Sequence, residues 1–205
     1  VLVYPFENQS SRGDLQWMAE SFAETLSSCL SAPSRLVIGR QERVAAYEHF
    51  DIPPAAALTL ATQYRIADTV GADWAVLGRF NVEGTRLQAR MQLLDVRRLK
   101  LAPPLEVTGE LTDLVEMQMR LAWRFLAAHD RGFTVGAEED FCREARRVRL
   151  DAFEHYIRGL GTPEEEARVR HLREAARLDP ADHRAALELG RHFFAQKDYE
   201  VSARW

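Results

Sequence analysis

Residues 171–200 read HLREAARLDPADHRAALELGRHFFAQKDYE, and how this stretch folds decides the second half of the chain. Asp179-Pro180 stops a helix, because proline has no amide to donate and its ring crowds the turn before it. Asp182 begins the next one, its carboxylate able to accept from amides that a first helical turn leaves free. Upstream, the pattern predicts a helix over 151–160 and a turn at Gly161-Thr162-Pro163. Pro163 falls where proline suits a first turn, Glu164, Glu165 and Glu166 complement the positive end of the helix dipole, and Arg177 suits the other end. From Asp151 onward the apolar side chains are spaced to stack helical hairpins, leaving a groove rather than a reaction centre.

Before Asp151 the texture changes. Val1–Phe6 is apolar throughout, as a buried strand would be, with Pro5 predicted to mark its exit. A polar turn follows, and Asp14 is placed to cap a helix over 14–31 whose apolar face carries Leu15, Met18, Phe22, Leu26 and Cys29. Leu36-Val37-Ile38 reads as a second short buried strand ended by Gly39. A short helix over 41–50 is broken by Pro53 and Pro54, and another over 55–70 carries Leu58, Ala61, Ile66 and Val70 before Gly71. A strand over 74–82 turns at Gly84 into one where Leu87, Ala89, Met91 and Leu93 alternate with Gln88, Arg90 and Gln92, the signature of a half-exposed antiparallel strand. An edge strand over 105–111 and an amphipathic helix over 114–126 with Met117, Leu121, Trp123 and Phe125 close the unit. The predicted order is βαβαβββα, an α/β fold with a mixed sheet and covering helices, followed by an all-α helical hairpin array. The expected domains are 1–128 (α/β), 129–150 (a linker with Gly132, Gly136, a short helix and the basic Arg143, Arg146, Arg147 and Arg149) and 151–205 (helical).

The bulk properties narrow the function. With 205 residues, 46% of them hydrophobic and 28% charged, the chain is an ordinary core-forming protein. A net charge of −4 offers no general pull toward nucleic acid or anionic membrane, so no nucleic-acid partner is expected. No apolar run is long enough to span a bilayer. Cys29 and Cys142 carry no zinc or redox spacing and read as two small buried or half-buried thiols. Val1 in place of methionine, and Trp205 inside a periodic helical pattern, give the expectation that both ends are cuts and that more repeats follow Trp205.

The last fifty-five residues resemble a tetratricopeptide repeat (TPR). Leu172, Ala175 and Leu178-Asp179-Pro180 look like the end of one repeat's second helix; Ala186, Leu189-Gly190 and Phe193 look like the first helix of the next; Asp198-Tyr199-Glu200 resembles the turn into its second helix. Gly190 follows Pro180 at the signature offset, letting neighbouring helices approach while Phe193 and Tyr199 fill the space between them. The chain departs from the pattern at Gly159, which is too close to Pro180, at Arg168, where a small residue is usual, and at Lys197, where glycine is common. The resemblance gives about one and a half to two repeats. The first 128 residues resemble the TolB amino-terminal-like domain, related to CsgG-type domains, through Val3-Tyr4-Pro5-Phe6-Glu7-Asn8, Met18-Ala19-Glu20, Leu36-Val37-Ile38-Gly39-Arg40, Gly71-Ala72-Asp73, Val76-Leu77-Gly78-Arg79 and Leu93-Leu94-Asp95-Val96. That resemblance implies an α/β fold, a partner-binding role, no catalytic residues and a place in the bacterial periplasm or envelope, with the cytoplasm as the alternative.

No Gly-rich phosphate loop, metalloprotease His-Glu helix or paired-cysteine spacing occurs. His155 and His171, on successive helices, are placed to meet, but no third ligand accompanies them, so no metal and no cofactor is expected. The acidic runs at 138–140 and 164–166 fit helix starts, and the basic run 143–149 fits a solvated helix paired with Glu138, Glu139 and Glu144. In TPR-like arrays the first helix of each pair lines the concave groove. Arg184, Leu187, Arg191 and Phe194 fall along one side of that helix, where two guanidiniums beside apolar surface would suit an acidic extended peptide. A second candidate surface lies at the strand ends near Asn8–Ser11, Gly39-Arg40 and Gly78-Arg79. The function expected is a non-catalytic adaptor binding a protein or peptide, with self-association open to it. The alternative is a sensory module whose α/β domain holds a small ligand while the repeats relay the signal; an enzyme with a site outside known motifs ranks third.

Overall fold

The computed structural model describes residues 1–32, 35–53, 56–130 and 136–205, apart from the side chains of Glu144 and Arg146. Pro54, Ala55 and Gly132 therefore lie outside the described residues, as do the Arg146 and Glu144 side chains of the basic run. The chain forms two compact units, Val1–Arg146 and Arg147–Trp205.

The first unit is built on a long hairpin, and its elements run β1 (Leu2–Val3), β2 (Glu7–Asn8), α1 (Trp17–Leu30), α2 (Arg40–His49), α3 (Leu60–Thr69), β3 (Trp74–Glu83), β4 (Arg86–Asp95), β5 (Lys100–Leu101), β6 (Leu105–Glu110) and α4 (Leu114–His129). Gly84, at φ 62°, stands first in the two-residue turn between β3 and β4, as a type II′ hairpin requires. That turn sets the register: Phe80 faces Ala89 and Val82 faces Leu87, which puts these side chains on one face of the sheet. β1 and β2 add in parallel to β3, and β5 and β6 pair antiparallel with β4, giving a six-stranded mixed sheet.

Two layers cover this sheet unequally. On one face α1 and α4 pack together; the Phe22 ring stacks on Phe6 at 4.4 Å and lies 5.7 Å from Phe80. Between these helices a buried polar chain is satisfied, with Gln118 Nε2 donating to Ser21 Oγ (2.7 Å), Thr25 Oγ1 to Gln118 Oε1 (2.8 Å) and Ser21 Oγ to Met18 O (2.8 Å). On the other face α2 and α3 bring Tyr47, Ile66 and Ala67 against Leu2, Tyr4, Ala75 and Leu94. Beyond that cluster the same face carries Leu77, Arg79 and Asn81 opposite Gln92, Arg90 and Gln88.

Several elements differ from the sequence-based expectation, and the order is ββαααββββα rather than βαβαβββα. Pro5 does not end the strand. The register passes from Val3↔Val76 to Glu7↔Arg79, so the leading chain spends one residue more than β3 across Tyr4-Pro5-Phe6, a bulge after which pairing resumes. Phe6 turns its amide away from the sheet to Ala19 O at 3.0 Å. Its ring lies over Gly78, where a Cβ would stand 2.3 Å away. Residues 35–40 form no strand: Ile38 makes a single parallel bridge to Leu2, Leu36 is 84% exposed, and its carbonyl takes the Val1 amino group at 2.7 Å. β1 is too short to template more. Asp14 sits inside a 3₁₀ turn (Gly13–Leu15) paired with Arg12 instead of capping, and α1 starts at Trp17. The helix expected from residue 55 starts at Leu60, because Thr59 Oγ1 accepts from the Thr62 amide at 3.2 Å. Trp123 is half-buried and donates through Nε1 to Gly136 O at 3.1 Å.

α5 (Glu138–Phe141) packs on α4, with Glu138 ion-paired to Arg120 and Arg124 at 3.8 and 3.6 Å. Cys142 is buried and Cys29 half-buried, the two form no disulfide, and burial pushes the Cys29 thiol up to about 11.

The second unit contains α6 (Leu150–Gly161), α7 (Glu165–Leu178), α8 (His183–Ala195) and α9 (Tyr199–Ser202), each packed on the next in chain order. Asp182 and Asp198 cap α8 and α9 by accepting from the Arg184 and Val201 amides. Phe153, Tyr156, Ile157, Leu172, Ala175, Ala185 and Leu189 form the buried side. Gly159 lies against Leu172, which a Cβ would meet at 2.8 Å, and Ser202 Oγ donates to Gly190 O at 2.8 Å. Pro180 is exposed, Ala186 and Phe193 are half-buried, and Tyr199 is 57% exposed, so it fills no interior space between α8 and α9.

Candidate functional site

Each unit carries one candidate surface. On α8, Leu187 and Phe194 are 54% and 64% exposed, and Arg191 between them donates to Glu188 Oε1 at 2.7 Å. Phe194 meets Tyr199 edge-on, with ring centroids 5.4 Å apart. Arg184, expected in the same row, leans back onto α6 while its side chain stays 40% exposed. Its guanidinium lies 5.2 Å from the Phe153 ring and 5.0 Å from that of Tyr156, while Nε donates to Asp182 Oδ1 at 2.9 Å. Burial pushes the Asp182 carboxyl up, but the side-chain hydrogen bond, charge and backbone amide of Arg184, helped by His183, together hold it below the usual carboxylate range. Arg184 thus pins the start of α8 onto α6, and Leu187, Arg191 and Phe194 are left as the outward row.

A groove beside this helix brings together the two predicted histidines. His155 Nδ1 and His171 Nδ1 lie 3.0 Å apart, a hydrogen bond when one nitrogen carries the proton and the other does not. Burial and the neighbouring His155 depress the His171 pKa. Among the described residues no group of three metal-ligating side chains comes together.

In the α/β unit a cavity of about 330 Å³ opens where the β1–β2 bulge departs from the sheet, lined among others by Tyr4, Tyr47, Leu58, Gln16, Arg79 and Arg90. Tyr4 donates its hydroxyl to Gln63 O at 2.6 Å, and burial raises both phenols, that of Tyr47 to about 12, so both stay neutral. The second surface expected from the sequence is only partly assembled here. Asn8, Gly78 and Arg79 line the cavity, but Asn8 spends its amide on Arg12 O and its Oδ1 on Ser10. Arg40 is drawn instead to Glu20 at 3.2 Å, beside the buried Arg43, whose Nη1 donates to Val3 O at 2.9 Å.

No known protein family and no curated protein matches the sequence. The fold does have solved likenesses. The LpoB C-terminal domain from Escherichia coli is 19% identical, with 53% of this chain and 80% of that one covered at a TM-score of 0.45. Lipoprotein GNA1162 from Neisseria meningitidis is 20% identical over 53% of this chain and 78% of its own, at a TM-score of 0.44. TolB from Acinetobacter baumannii is 11% identical over 62% of this chain and 28% of its own, at a TM-score of 0.40. Among the described residues no helix is long and apolar enough to cross a membrane.

Sequence reading alone missed Arg90 and the tyrosine pair Tyr4–Tyr47, whose rings stack at 6.5 Å. A signal for Arg90 existed: counting back from a two-residue turn at Gly84-Thr85 sets it directly opposite Arg79.

Proposed function

We propose that this chain is a non-catalytic adaptor of a bacterial envelope or regulatory system, with its α/β unit docking on one partner and its helices forming a TPR-like array that holds an acidic extended peptide along α8. One observation carries the reading: Leu187 and Phe194 are large apolar side chains more than half exposed on either side of Arg191. Contiguous exposed apolar surface rimmed by charge marks an interaction site, and Phe194 is extended by the exposed Tyr199 ring it touches. The repeat signature around Pro180 and Gly190, and the TolB-like motifs of residues 1–128, support the same reading. An array of acidic and neutral-scrambled peptides, probed with the whole chain, tests it. Wild type should prefer acidic sequences with an apolar residue, and Arg191→Glu and Phe194→Asp should each weaken the best one by about tenfold or more, as loss of a charge-assisted or anchoring contact does. Undiminished binding by Arg191→Glu would remove α8 from consideration.

A second reading, a sensory module whose α/β unit holds a small ligand, is favoured by the cavity at the β1–β2 bulge.

A further inference from the structure

A row of four charged side chains crosses the uncovered part of the sheet. The registers set Glu7 beside Arg79, Arg79 directly opposite Arg90, and Arg90 opposite Glu106. Like charges directly opposed on an antiparallel pair are unfavourable, and the flanking carboxylates do not resolve the conflict. Glu106 Oε1 is 3.4 Å from Arg90 Nη1 with most of its side chain in solvent. Arg79 and Glu7 enter no ion pair among the described residues. The Nε–H of Arg90 is buried with no acceptor among the described residues. Arg40 and Arg168 have similar atoms, but that of Arg90 belongs to a side chain bordering both the cavity and a shallower depression over Asn81, Gln88 and Thr108.

We propose that Arg79 and Arg90 hold the carboxylate of a small organic acid whose apolar part sits against Tyr4, Tyr47 and Leu58 in the cavity, an inference that rests on the second reading above. A guanidinium presents a planar fork of N–H donors matched to two oxygens, so one carboxylate lying between the two forks turns their repulsion into a bridge and supplies the acceptor that Arg90 Nε lacks. The neutral phenols add no opposing charge. Glu7 and Glu106, next to the arginines in the row, repel added negative charge, so a monoanion suits it better than a dianion.

Benzoate, phenyl phosphate and benzamide are the probes, titrated into the isotope-labelled whole chain at pH 7.5 while amide chemical shifts are followed. Benzoate should shift the amides of Leu77–Arg79 and Arg90 saturably, with a Kd of about millimolar as befits so small a ligand; phenyl phosphate should bind more weakly and benzamide not at all. Arg79→Gln and Arg90→Gln should each weaken benzoate about tenfold, and without ligand Arg79→Gln should melt no lower than wild type because it relieves the like-charge contact. Benzamide shifting the same amides as strongly would overturn the carboxylate assignment and leave a neutral-ligand cavity; tighter phenyl phosphate would overturn the monoanion. Silence at Leu77–Arg79 with every probe, or shifts confined to residues 147–205, would remove both this proposal and the reading beneath it.

Discussion

Two phenylalanines show how differently the units use apolar side chains. Phe22 has no exposure and lies between Phe6 and Phe80, residues far from it in sequence. Phe194 meets Tyr199, a near neighbour, and both remain more than half in solvent. The sheet gathers distant segments by register and buries them from both sides. Helices stacked only on their chain neighbours keep each ring's contacts local. Substituting the two rings tests that contrast. Phe22→Ala should cost about 3–5 kcal/mol, the usual loss for a core aromatic, and Phe194→Asp should fall within about 0.5 kcal/mol of wild type, as exposed positions do. Native-state hydrogen exchange is the measurement: Phe22→Ala should release amides of α1, β3 and β4 and spare those of α6, α7 and α8. Equal loss of protection in both units would mean that they unfold as one, and the contrast would fail.

The bulge yields the next largest effect. Gly78→Ala places a methyl group where the Phe6 ring lies, and backbone pairing on both sides of Gly78 limits how far the strand can give. Overpacking of this kind costs about 1–3 kcal/mol, and the denaturation midpoint should drop accordingly. A midpoint unchanged from wild type would show that Phe6 swings out freely. Comparable in size, Gln118→Leu removes the acceptor of Thr25 Oγ1 between α1 and α4. A buried hydroxyl without a partner costs about 1–3 kcal/mol, and the double variant with Thr25→Val should recover much of it. No recovery would mean the amide serves by shape rather than by bonding.

What could be read from the sequence follows the range of the interactions. The alternation through Leu87, Ala89, Met91 and Leu93 reports one pleated face and needs no distant partner, and all four are buried. The stop at Asp179-Pro180 and the cap at Asp182 are equally local. Leu36-Val37-Ile38 has the same apolar texture but depends on β1 for pairing, and β1 offers one bridge. Composition cannot report the length of a partner strand. Pro5 as a bulge and Arg184 as a pin on Phe153 were hidden for the same reason: each is defined by a segment across the unit. Spacing alone placed Arg184, Leu187, Arg191 and Phe194 in one row, and the rings of α6 withdrew the first of them.

The smallest predicted effect separates the units by pH. His171 has its pKa depressed below its ordinary 6.5, first by burial and then by His155, with Arg158 and Arg170 acting in the same direction and Glu154 opposing. A proton binds the unfolded chain before the folded one as pH falls below 6.5, so this contribution to stability is complete above that value and drains away through the window beneath it. The 3.0 Å contact between Nδ1 atoms gives the geometric reason: it holds with one proton and not with two. His129 in the α/β unit is depressed by burial in the same sense, so acid sensitivity of the whole chain proves nothing by itself. His171→Gln isolates the pair. Between pH 7.5 and pH 5 wild type should lose protection in α6 and α7, and the variant should lose less there while α4 responds identically in both. If the variant's α6 and α7 weakened as much as wild type's, the acid sensitivity of that hairpin would belong to its carboxylates and arginines instead of its histidines.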